Sequence, residues 1–264
     1  MTYTHGHHES VLRSHTWRTA ENSSAYLLPH LRPGLSVLDI GCGPGTITAD
    51  LARLVEPGQV VGLDASSEVV AQAEAFAASR GVTNLRFEVG DLFALSYGDA
   101  AFDVVHAHQV LQHLVDPGAA MVELRRVLRP GGVLAVRDSD YSAFVWAPAV
   151  PLLDRWRQLY LAVTERNGHN ARIGPSLLGL AHAAGFDDVV VTSTSWTFAD
   201  PESRQWWGGL WADRIRLSRF AAQAVDYELT DADELEEIAR GFLSWAASPD
   251  GVFVVPHVEI LAHR

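Results

Sequence analysis

The fold is decided by one stretch of the sequence, Val37-Leu38-Asp39-Ile40-Gly41-Cys42-Gly43-Pro44-Gly45. Its first four residues are mostly apolar and predict a short strand, the three glycines predict a turn, and Pro44 suits the first turn of a helix. Such a strand–turn–helix unit is typical of a doubly wound sheet, in which the ligand lies beyond the carboxyl ends of the strands. Glycine allows the backbone to approach a ligand without a Cβ clash. The stretch therefore predicts a ligand site at residues 41–45.

Outward from this stretch, strands and helices alternate. We predict strands at 36–40, 59–64, 85–89, 102–107 and 133–138, with helices at 44–55, 66–80 and 117–128. Further along the chain we predict helices at 148–166, 175–184 and within 201–247, and strands at 187–198 and 251–262. Alternation of this kind is typical of a parallel sheet that is covered on both faces. The predicted fold class is α/β, with a doubly wound, mostly parallel sheet of seven strands and helical lid additions.

An acidic residue, Asp64, ends the second predicted strand. A carboxylate at this position can accept hydrogen bonds from both hydroxyls of a ribose. A dinucleotide and S-adenosylmethionine (SAM) both fit such a site. The dinucleotide fingerprint G-x-G-x-x-G requires a third glycine where this chain has Thr46. Asp39, two positions before the first glycine, favours SAM instead.

The pattern D-x-G-x-G-x-G at residues 39–45 resembles the class I SAM-dependent methyltransferases, and the resemblance extends over about residues 35–140. Later motifs follow in the family's order: Gly90-Asp91-Leu92, the strand at 102–108, and Leu128-Arg129-Pro130-Gly131-Gly132. The chain looks most similar to the bacterial, small-molecule form of the ubiquinone- and menaquinone-biosynthesis C-methyltransferase-like branch. The resemblance implies a Rossmann-like methyltransferase fold.

The resemblance also implies a division of the chain into segments. We expect an N-terminal helical flap at 1–33, a SAM-binding core at 34–140, helices and a strand that complete the core at 141–200, a helical lid insertion at 201–248 and a final core strand at 249–264.

A set of cofactor-binding residues follows from the matched motifs, and it comprises Arg18, Asp39, Gly41, Gly43, Gly45, Asp64, Ala65, Gly90, Asp91, Leu92, Ala107 and His108. Arg18 could pair with the SAM carboxylate through two parallel hydrogen bonds, or it could be a surface residue. Asp91 could instead cap a helix. Cys42 has no cationic neighbour in sequence, so we interpret it as a small apolar filler.

Catalytic residues are predicted by position. His113 follows the fourth strand by one short turn, and the strand ends of this fold face the ligand. It can serve as a base or hydrogen-bond acceptor for the methyl acceptor, with Tyr3 or His8 on the opposite side. A purely structural role for His113 remains an open alternative.

Aromatic residues of the predicted lid are candidates for binding the substrate. Trp206, Trp207 and Trp211 lie within about one helical turn of one another. With Tyr141 they are predicted to bind the substrate, because aromatic walls suit a flat apolar ligand and can stabilise a sulfonium. Packing in the core is the alternative role for such a stripe.

Composition excludes several classes of protein. The sequence has no lysine, which excludes a lysine Schiff base and a P-loop lysine, and its single cysteine excludes an internal disulfide and a cysteine-cluster metal site. The formal net charge of −12 argues against a nucleic-acid partner. No stretch resembles a signal peptide or a membrane span. We expect a cytoplasmic monomer or homodimer, without a bound metal and without a nucleic-acid or membrane partner.

The predicted function is SAM-dependent methyl transfer to a small aromatic or polyketide-like molecule. Methylation of carbon is favoured, for example on an indole or a quinol, and methylation of oxygen or nitrogen stays open. The alternatives are a non-catalytic SAM- or nucleotide-binding module and an NAD-dependent oxidoreductase.

Overall fold

The computed structural model describes residues 14–264, and these residues fall into two compact units. The first, here called the core unit, comprises His15–Asp138, Ile173–Ser193 and Val258–Arg264. The second unit comprises Ser139–Arg172 and Thr194–His257, together with Ser14. The chain therefore leaves the core unit twice and returns to it each time.

Strands and helices alternate through the first half of the described chain, as the sequence predicts. In chain order the elements are α1 (Ala20–Ser23), β1 (Val37–Ile40), α2 (Thr46–Val55), β2 (Val60–Asp64), α3 (Ser67–Ser79), β3 (Leu85–Val89), β4 (Phe102–His108), α4 (Pro117–Val127), β5 (Leu128–Ser139), β6 (Val145–Ala147), α5 (Pro151–Arg166), α6 (Leu177–Ala183), β7 (Asp188–Phe198), α7 (Pro201–Leu217), α8 (Arg219–Asp226), α9 (Ala232–Ala247) and β8 (Val252–His263).

The core unit is built on strands in the order β3-β2-β1-β4-β5-β8, and the pairings among the first five strands are parallel. Gly131 and Gly132 exchange backbone hydrogen bonds with Arg264, and Arg137 pairs with Glu259, so β5 and β8 run in opposite directions. β1 is buried along its whole length, as expected for a strand in the middle of a sheet that is covered on both faces. The predicted doubly wound, mostly parallel α/β fold is confirmed.

Several details differ from the predictions. α2 begins at Thr46 with Gly45 as its N-cap, so Pro44 belongs to the glycine turn and not to the first turn of the helix. The described residues form a sheet of eight strands, one more than expected, because β6 adds a strand of three residues that pairs antiparallel with β8. Three residues are too few for any periodicity to reveal a strand. β5 begins at Leu128 and not at residue 133, because its first residue already pairs with Phe102 of β4. Residues 129–132 are therefore a bulge within the strand and not a turn that precedes it.

The glycine turn, residues 41–45, is shaped by close packing. Gly41, Gly43 and Gly45 have φ angles of 62°, 55° and 79°, a region that glycine enters without steric cost. A Cβ on Gly45 would lie 2.7 Å from Cζ of Phe87 and 3.0 Å from Cβ of Ala73. The side chains of β3 and α3 therefore leave no room for a larger residue at the start of α2.

The second unit has an aromatic core of its own. Trp156, Trp211 and Trp245 are fully buried there. The ring centroids of Trp156 and Trp211 lie 4.5 Å apart in an edge-to-face arrangement, and Trp207 stacks on Phe198 at 4.3 Å. Such aromatic pairs contribute about 0.5–1.5 kcal/mol each beyond the burial of their area. Aromatic contacts therefore hold this unit together.

Within residues 14–264, no helix is both long enough and apolar enough to cross a membrane. The flap at 1–33 and the lid at 201–248 stay predictions, and residues 1–13 of the flap lie outside the described residues.

Replacing Gly45 with Ala should destabilise the protein more than replacing Gly81 with Ala. Gly81 also has a positive φ, 67°, but a Cβ there would meet nothing within 4 Å. Both variants incur about 1–2 kcal/mol for an L-residue in the left-handed region. Gly45→Ala adds the overpacking against Phe87, typically about 1–3 kcal/mol. Denaturant unfolding without added ligand measures the loss of unfolding free energy in each variant. Equal losses in the two variants would contradict the role of packing at Gly45.

Candidate functional site

Parallel strands end at the same edge of their sheet, so β1, β2 and β4 bring the segments that follow them close together. The strand registers set Ile40 level with Leu63 and with Ala107. Beyond these residues lie the glycine turn, Asp64 and residues 109–113, here called the post-β4 loop. This edge of the core unit is the candidate site.

Asp64 joins the end of β2 to the glycine turn. One carboxylate oxygen accepts a hydrogen bond from the backbone N–H of Gly43 at 3.2 Å, and the other accepts one from Ser66 at 3.0 Å. Each carboxylate oxygen can accept a second hydrogen bond, and the side chain is only half-buried. A Cβ on Gly43 would find His15 as its nearest neighbour, at 3.8 Å. Asp64 therefore has the chemistry to bind a vicinal diol, and among residues 14–264 no atom outside its two chain neighbours lies closer than 3.8 Å to a Cβ on the neighbouring Gly43.

The segment at residues 15–18 lies at the same edge. The hydroxyl of Thr46 donates to the backbone oxygen of His15 at 3.2 Å, and the guanidinium of Arg18 donates to the side-chain oxygen of Gln109 at 2.7 Å. A guanidinium carries five N–H donors. The contact with Gln109 is therefore compatible with the predicted contact between Arg18 and a ligand carboxylate.

Asp39 lies beneath the glycine turn and is buried with a relative exposure of 3%. One of its carboxylate oxygens pairs with Nδ1 of His106 at 2.6 Å, and the other accepts a hydrogen bond from Thr48 at 2.6 Å. The opposite nitrogen of His106 lies 2.8 Å from the hydroxyl of Ser24. This is the connectivity of a hydrolytic triad, but Ser24 is fully buried and cannot meet a substrate. Asp39 therefore positions neighbouring elements, and its contact with the cofactor stays a prediction.

The post-β4 loop turns sharply at its first residue. Gln109 has a φ of 54°, and its N–H donates to the backbone oxygen of Arg137 at 2.7 Å. Leu111–His113 then form one 3-10 turn. Residues other than glycine rarely adopt positive φ, and those that do are concentrated at functional sites. The strain at Gln109 therefore supports a functional role for this edge.

A buried carboxyl group holds the 3-10 turn. Asp138, near the end of β5, accepts hydrogen bonds from the backbone N–H of Leu111 at 3.2 Å and of Gln112 at 3.3 Å, one on each oxygen. Burial raises the pKa of Asp138 to about 8, against the opposing effects of these two hydrogen bonds and of the charges on Arg137 and Arg18. The loop that carries Gln109, Gln112 and His113 thus rests on a carboxyl group that water does not reach.

His113 is half-buried on this turn. Its Nε2 lies 3.2 Å from the side-chain nitrogen of Gln112, so the amide donates and the imidazole accepts. The predicted base thus has its acceptor nitrogen held in a defined orientation. Its role in catalysis stays a prediction.

The turn after β3 is tied to the same edge. The N–H of Gly90 donates to the backbone oxygen of Asp64 at 3.0 Å. Asp91 is exposed and accepts a hydrogen bond from the N–H of Phe93 at 3.0 Å, so it caps the short turn Leu92–Ala94. Asp91 thus has the capping role that the sequence analysis gave as an alternative. Its contact with the cofactor stays a prediction.

The other residues predicted to bind the cofactor differ in exposure. Ala65 is exposed at the start of the segment that leads into α3. Three side chains are buried, those of Leu92, Ala107 and His108. Contacts of Leu92 and Ala107 with a ligand would therefore involve backbone atoms.

Four of the remaining predicted site residues belong to the second unit. Tyr141, Trp207 and Trp211 are buried in the aromatic core of the second unit, and Trp206 packs against that core. Tyr3 and His8 lie outside the described residues. Their roles in substrate binding and catalysis stay predictions.

Sequence reasoning missed several residues of the site, namely Ser24, His106, Gln109 and Asp138. For Asp138 a signal existed, since it is a carboxylate close to the carboxyl end of a predicted strand. The partner of His106 lies 67 positions away along the chain, and no local pattern reveals such a pair.

A family model described as a methyltransferase domain matches residues 31–169, the range that holds the glycine turn, Asp64 and the post-β4 loop. The chain belongs to the methyltransferase family. An uncharacterized methyltransferase of Schizosaccharomyces pombe is 31% identical over 99% of this chain and 96% of its own length. The 2-methyl-6-phytyl-1,4-hydroquinone methyltransferase of Synechocystis is 31% identical over 72% of this chain and 57% of its own. The crystal structure of the YcgJ protein of Bacillus subtilis has the same fold, with a TM-score of 0.61 at 21% identity, and the match covers 92% of this chain and 99% of that one.

The family is SAM-dependent, which confirms the predicted cofactor and the predicted enzyme class. The residues of the candidate site fit SAM. Asp64 offers a half-buried carboxylate to ribose hydroxyls, Gly43 presents backbone without a Cβ beside it, and Arg18 brings a cation to the same edge. Among residues 14–264, no group of three or more His, Cys, Asp or Glu side chains could hold a metal ion.

Replacing Asp64 with Ala should weaken the binding of SAM and S-adenosylhomocysteine (SAH) by about 10- to 150-fold. The substitution removes hydrogen bonds to a charged group, which contribute about 1.5–3 kcal/mol. Glu68→Gln is the matched control, because Glu68 is an exposed carboxylate in the first turn of α3. Isothermal titration calorimetry measures both variants, and unchanged affinity in Asp64→Ala would refute the assignment.

Proposed function

We propose that this methyltransferase alkylates a ring carbon of a small, electron-rich aromatic molecule such as a quinol or an indole. The observation that carries the proposal is the similarity to the Synechocystis relative, whose name describes a hydroquinone as its methyl acceptor. A quinol carbon is nucleophilic because the ring oxygens donate electron density to it. The proposal assigns the chain to the quinone-type C-methyltransferases.

The chemistry of the post-β4 loop supports such an acceptor. Its half-buried polar side chains, those of Gln109 and His113, are an amide and an imidazole, whereas Gln112 is buried and donates to His113. These groups can orient ring hydroxyls through hydrogen bonds. A carbon acceptor needs orientation first, and it releases a ring proton only after the new bond has formed. The loop therefore suits an acceptor that is already nucleophilic.

When bound, SAM supplies the methyl group as an electrophile. The chain's own task is to hold the acceptor carbon in line with the methyl group and to exclude water. Once the methyl group is in place, the ring loses one proton. His113 is the candidate that takes it, on the nitrogen that otherwise accepts from Gln112.

We further propose a cytoplasmic enzyme that works as a monomer or homodimer. The net charge of −12 repels nucleic-acid phosphates and supports a small-molecule substrate. Methylation of oxygen or nitrogen is the competing outcome within the same enzyme class, and a phenol or amide acceptor would depend more strongly on a base.

Incubation with SAM labelled with carbon-13 in its methyl group should transfer the label to a carbon atom. An alkylated hydroquinone, an indole and a catechol form a suitable panel, and NMR of the product distinguishes a methyl group on carbon from one on oxygen or nitrogen. A parallel incubation without the enzyme serves as the blank for background alkylation. Label found on oxygen or nitrogen alone would contradict the proposal while leaving the methyltransferase assignment intact.

Replacing His113 with Ala should lower kcat by roughly 10²- to 10⁴-fold if the imidazole acts as a base. His113→Asn separates positioning from proton transfer, because Asn can accept a hydrogen bond without acting as a base near neutrality.

The control for these variants is His182→Ala, which removes an exposed imidazole from α6. If His113→Ala and His113→Asn keep the kcat of the wild type between pH 6 and 9, the residue is structural and the base assignment is wrong.

A further inference from the structure

Asp138 forms hydrogen bonds to the post-β4 loop, and it lies outside the methyltransferase motifs matched in the sequence. We propose that Asp138 is a positioning residue for SAM binding, because it holds the post-β4 loop against the glycine turn. The inference rests on SAM as the cofactor and is independent of which acceptor is methylated.

Asp138 holds the loop through a double hydrogen bond. Its two oxygens accept from two successive backbone N–H groups, those of Leu111 and Gln112. Paired contacts of this kind fix both the position and the orientation of the 3-10 turn Leu111–His113. An amide in the same position would turn its NH2 group, which only donates, toward one of these two N–H groups. The site therefore requires a carboxyl group and not merely a polar side chain.

The loop in turn contacts the glycine turn through Val110. A Cβ on Gly41 would lie 2.6 Å from Cγ2 of Val110. Val110 therefore packs directly on the first glycine of the turn, and it immediately precedes the residues that Asp138 holds. A shift of the 3-10 turn would move Val110 and remove the support of the glycine turn.

The loop is also linked to Arg18. Gln109, at the start of the loop, accepts a hydrogen bond from Arg18, and the charge of Arg18 acts on Asp138. Two further residues interact electrostatically with Asp138. The charge of Asp138 raises the pKa of Tyr26, and the charge of Arg137 lowers the pKa of Asp138. The loop thus contacts both Gly41 of the glycine turn and Arg18, the residue predicted to bind the carboxylate of SAM, and Asp138 holds the loop in place.

Burying the carboxyl group of Asp138 costs free energy. An unpaired buried carboxyl group costs several kcal/mol, and hydrogen bonds to the group recover part of that cost. A residue needed only to end a strand would not require a carboxyl group with a relative exposure of 0%.

The test compares Asp138→Asn and Asp138→Ala with the wild type by calorimetric titration of SAH, without any methyl acceptor. We expect the dissociation constant to rise about tenfold in Asp138→Asn and further in Asp138→Ala, within the range of about 5- to 150-fold that is typical of coupled sites. Wild-type affinity in both variants, with only a lower melting temperature, would overturn the proposal. Failure of the wild type to bind SAH would instead contradict the cofactor assignment.

Asp116→Ala is the matched control, because alanine removes the cap whereas asparagine would keep it. Asp116 caps α4 by accepting a hydrogen bond from the N–H of Ala119 at 2.8 Å, and it lies outside the post-β4 loop. Loss of this cap should lower the melting temperature and leave SAH affinity unchanged. A loss of affinity equal to that of Asp138→Asn would show a general effect of stability and would refute a specific role for Asp138.

Amide hydrogen exchange keeps the proposal testable if the variants do not fold. Coupling between two sites is reciprocal, so SAH binding to the wild type should slow exchange at the N–H groups of Leu111 and Gln112. Unchanged exchange at both amides on saturation with SAH would overturn the proposal. In a folded Asp138→Asn protein the same amides should exchange faster than in the wild type.

Discussion

The hydrogen bond between Asp39 and His106 is the contact on which the organisation of the site depends. It joins β1 to β4 at 2.6 Å in the interior of the sheet, and the two residues are direct partners in the strand register. Thr48 extends the network to α2, and Ser24 extends it to the end of α1. One buried group thereby fixes the two strands whose ends carry the glycine turn and the post-β4 loop. Removal of either partner would leave a buried polar group unsatisfied, at a cost of about 1–3 kcal/mol.

A second buried polar contact continues this pattern toward β8. Arg137 pairs with Glu259 at 2.9 Å, with side-chain exposures of 1% and 3%, and Thr192 of β7 donates to the same glutamate at 2.9 Å. A buried ion pair gives little net stability, because desolvation offsets most of the attraction, but the loss of one partner is strongly destabilising. Such pairs therefore specify which strands are neighbours more than they increase stability. In this sheet they fix β5, β7 and β8 beside the parallel strands.

The sequence was informative where local rules decide the structure. β3 was predicted with its observed bounds, and α4 was predicted to within one residue, because Pro117 suits a first helical turn and Asp116 caps it. Asp64 could be singled out because a carboxylate at the end of a strand beside a glycine turn is typical of a ribose site. The start of β5 was wrong because the glycines at 131 and 132 indicate a turn, whereas the structure accommodates them in a bulge. β6 was missed because three residues show no period.

Most of the rest of the site depends on contacts between residues far apart in sequence. Arg137 and Glu259 are separated by 122 positions, and Arg18 and Gln109 by 91. Hydrophobic periodicity predicts which face of an element is buried, but it does not predict which polar groups meet there. The left-handed conformation of Gln109 is a similar case, because glutamine has no special preference for positive φ and only its tertiary contacts impose it.

Gln109, with its positive φ, and the buried carboxyl group of Asp138 both lie at the post-β4 loop. Their proximity has a physical cause. A backbone in a sparsely populated conformation persists only when its surroundings over-determine it. Here the N–H of Gln109 is held by Arg137 and its side chain by Arg18, while Asp138 holds the two residues that follow Val110. Where β4 ends, hydrogen bonds from separate segments therefore balance the unfavourable conformation of Gln109. A loop held in this way can keep one geometry before the ligand arrives, so little ordering entropy has to be lost on binding.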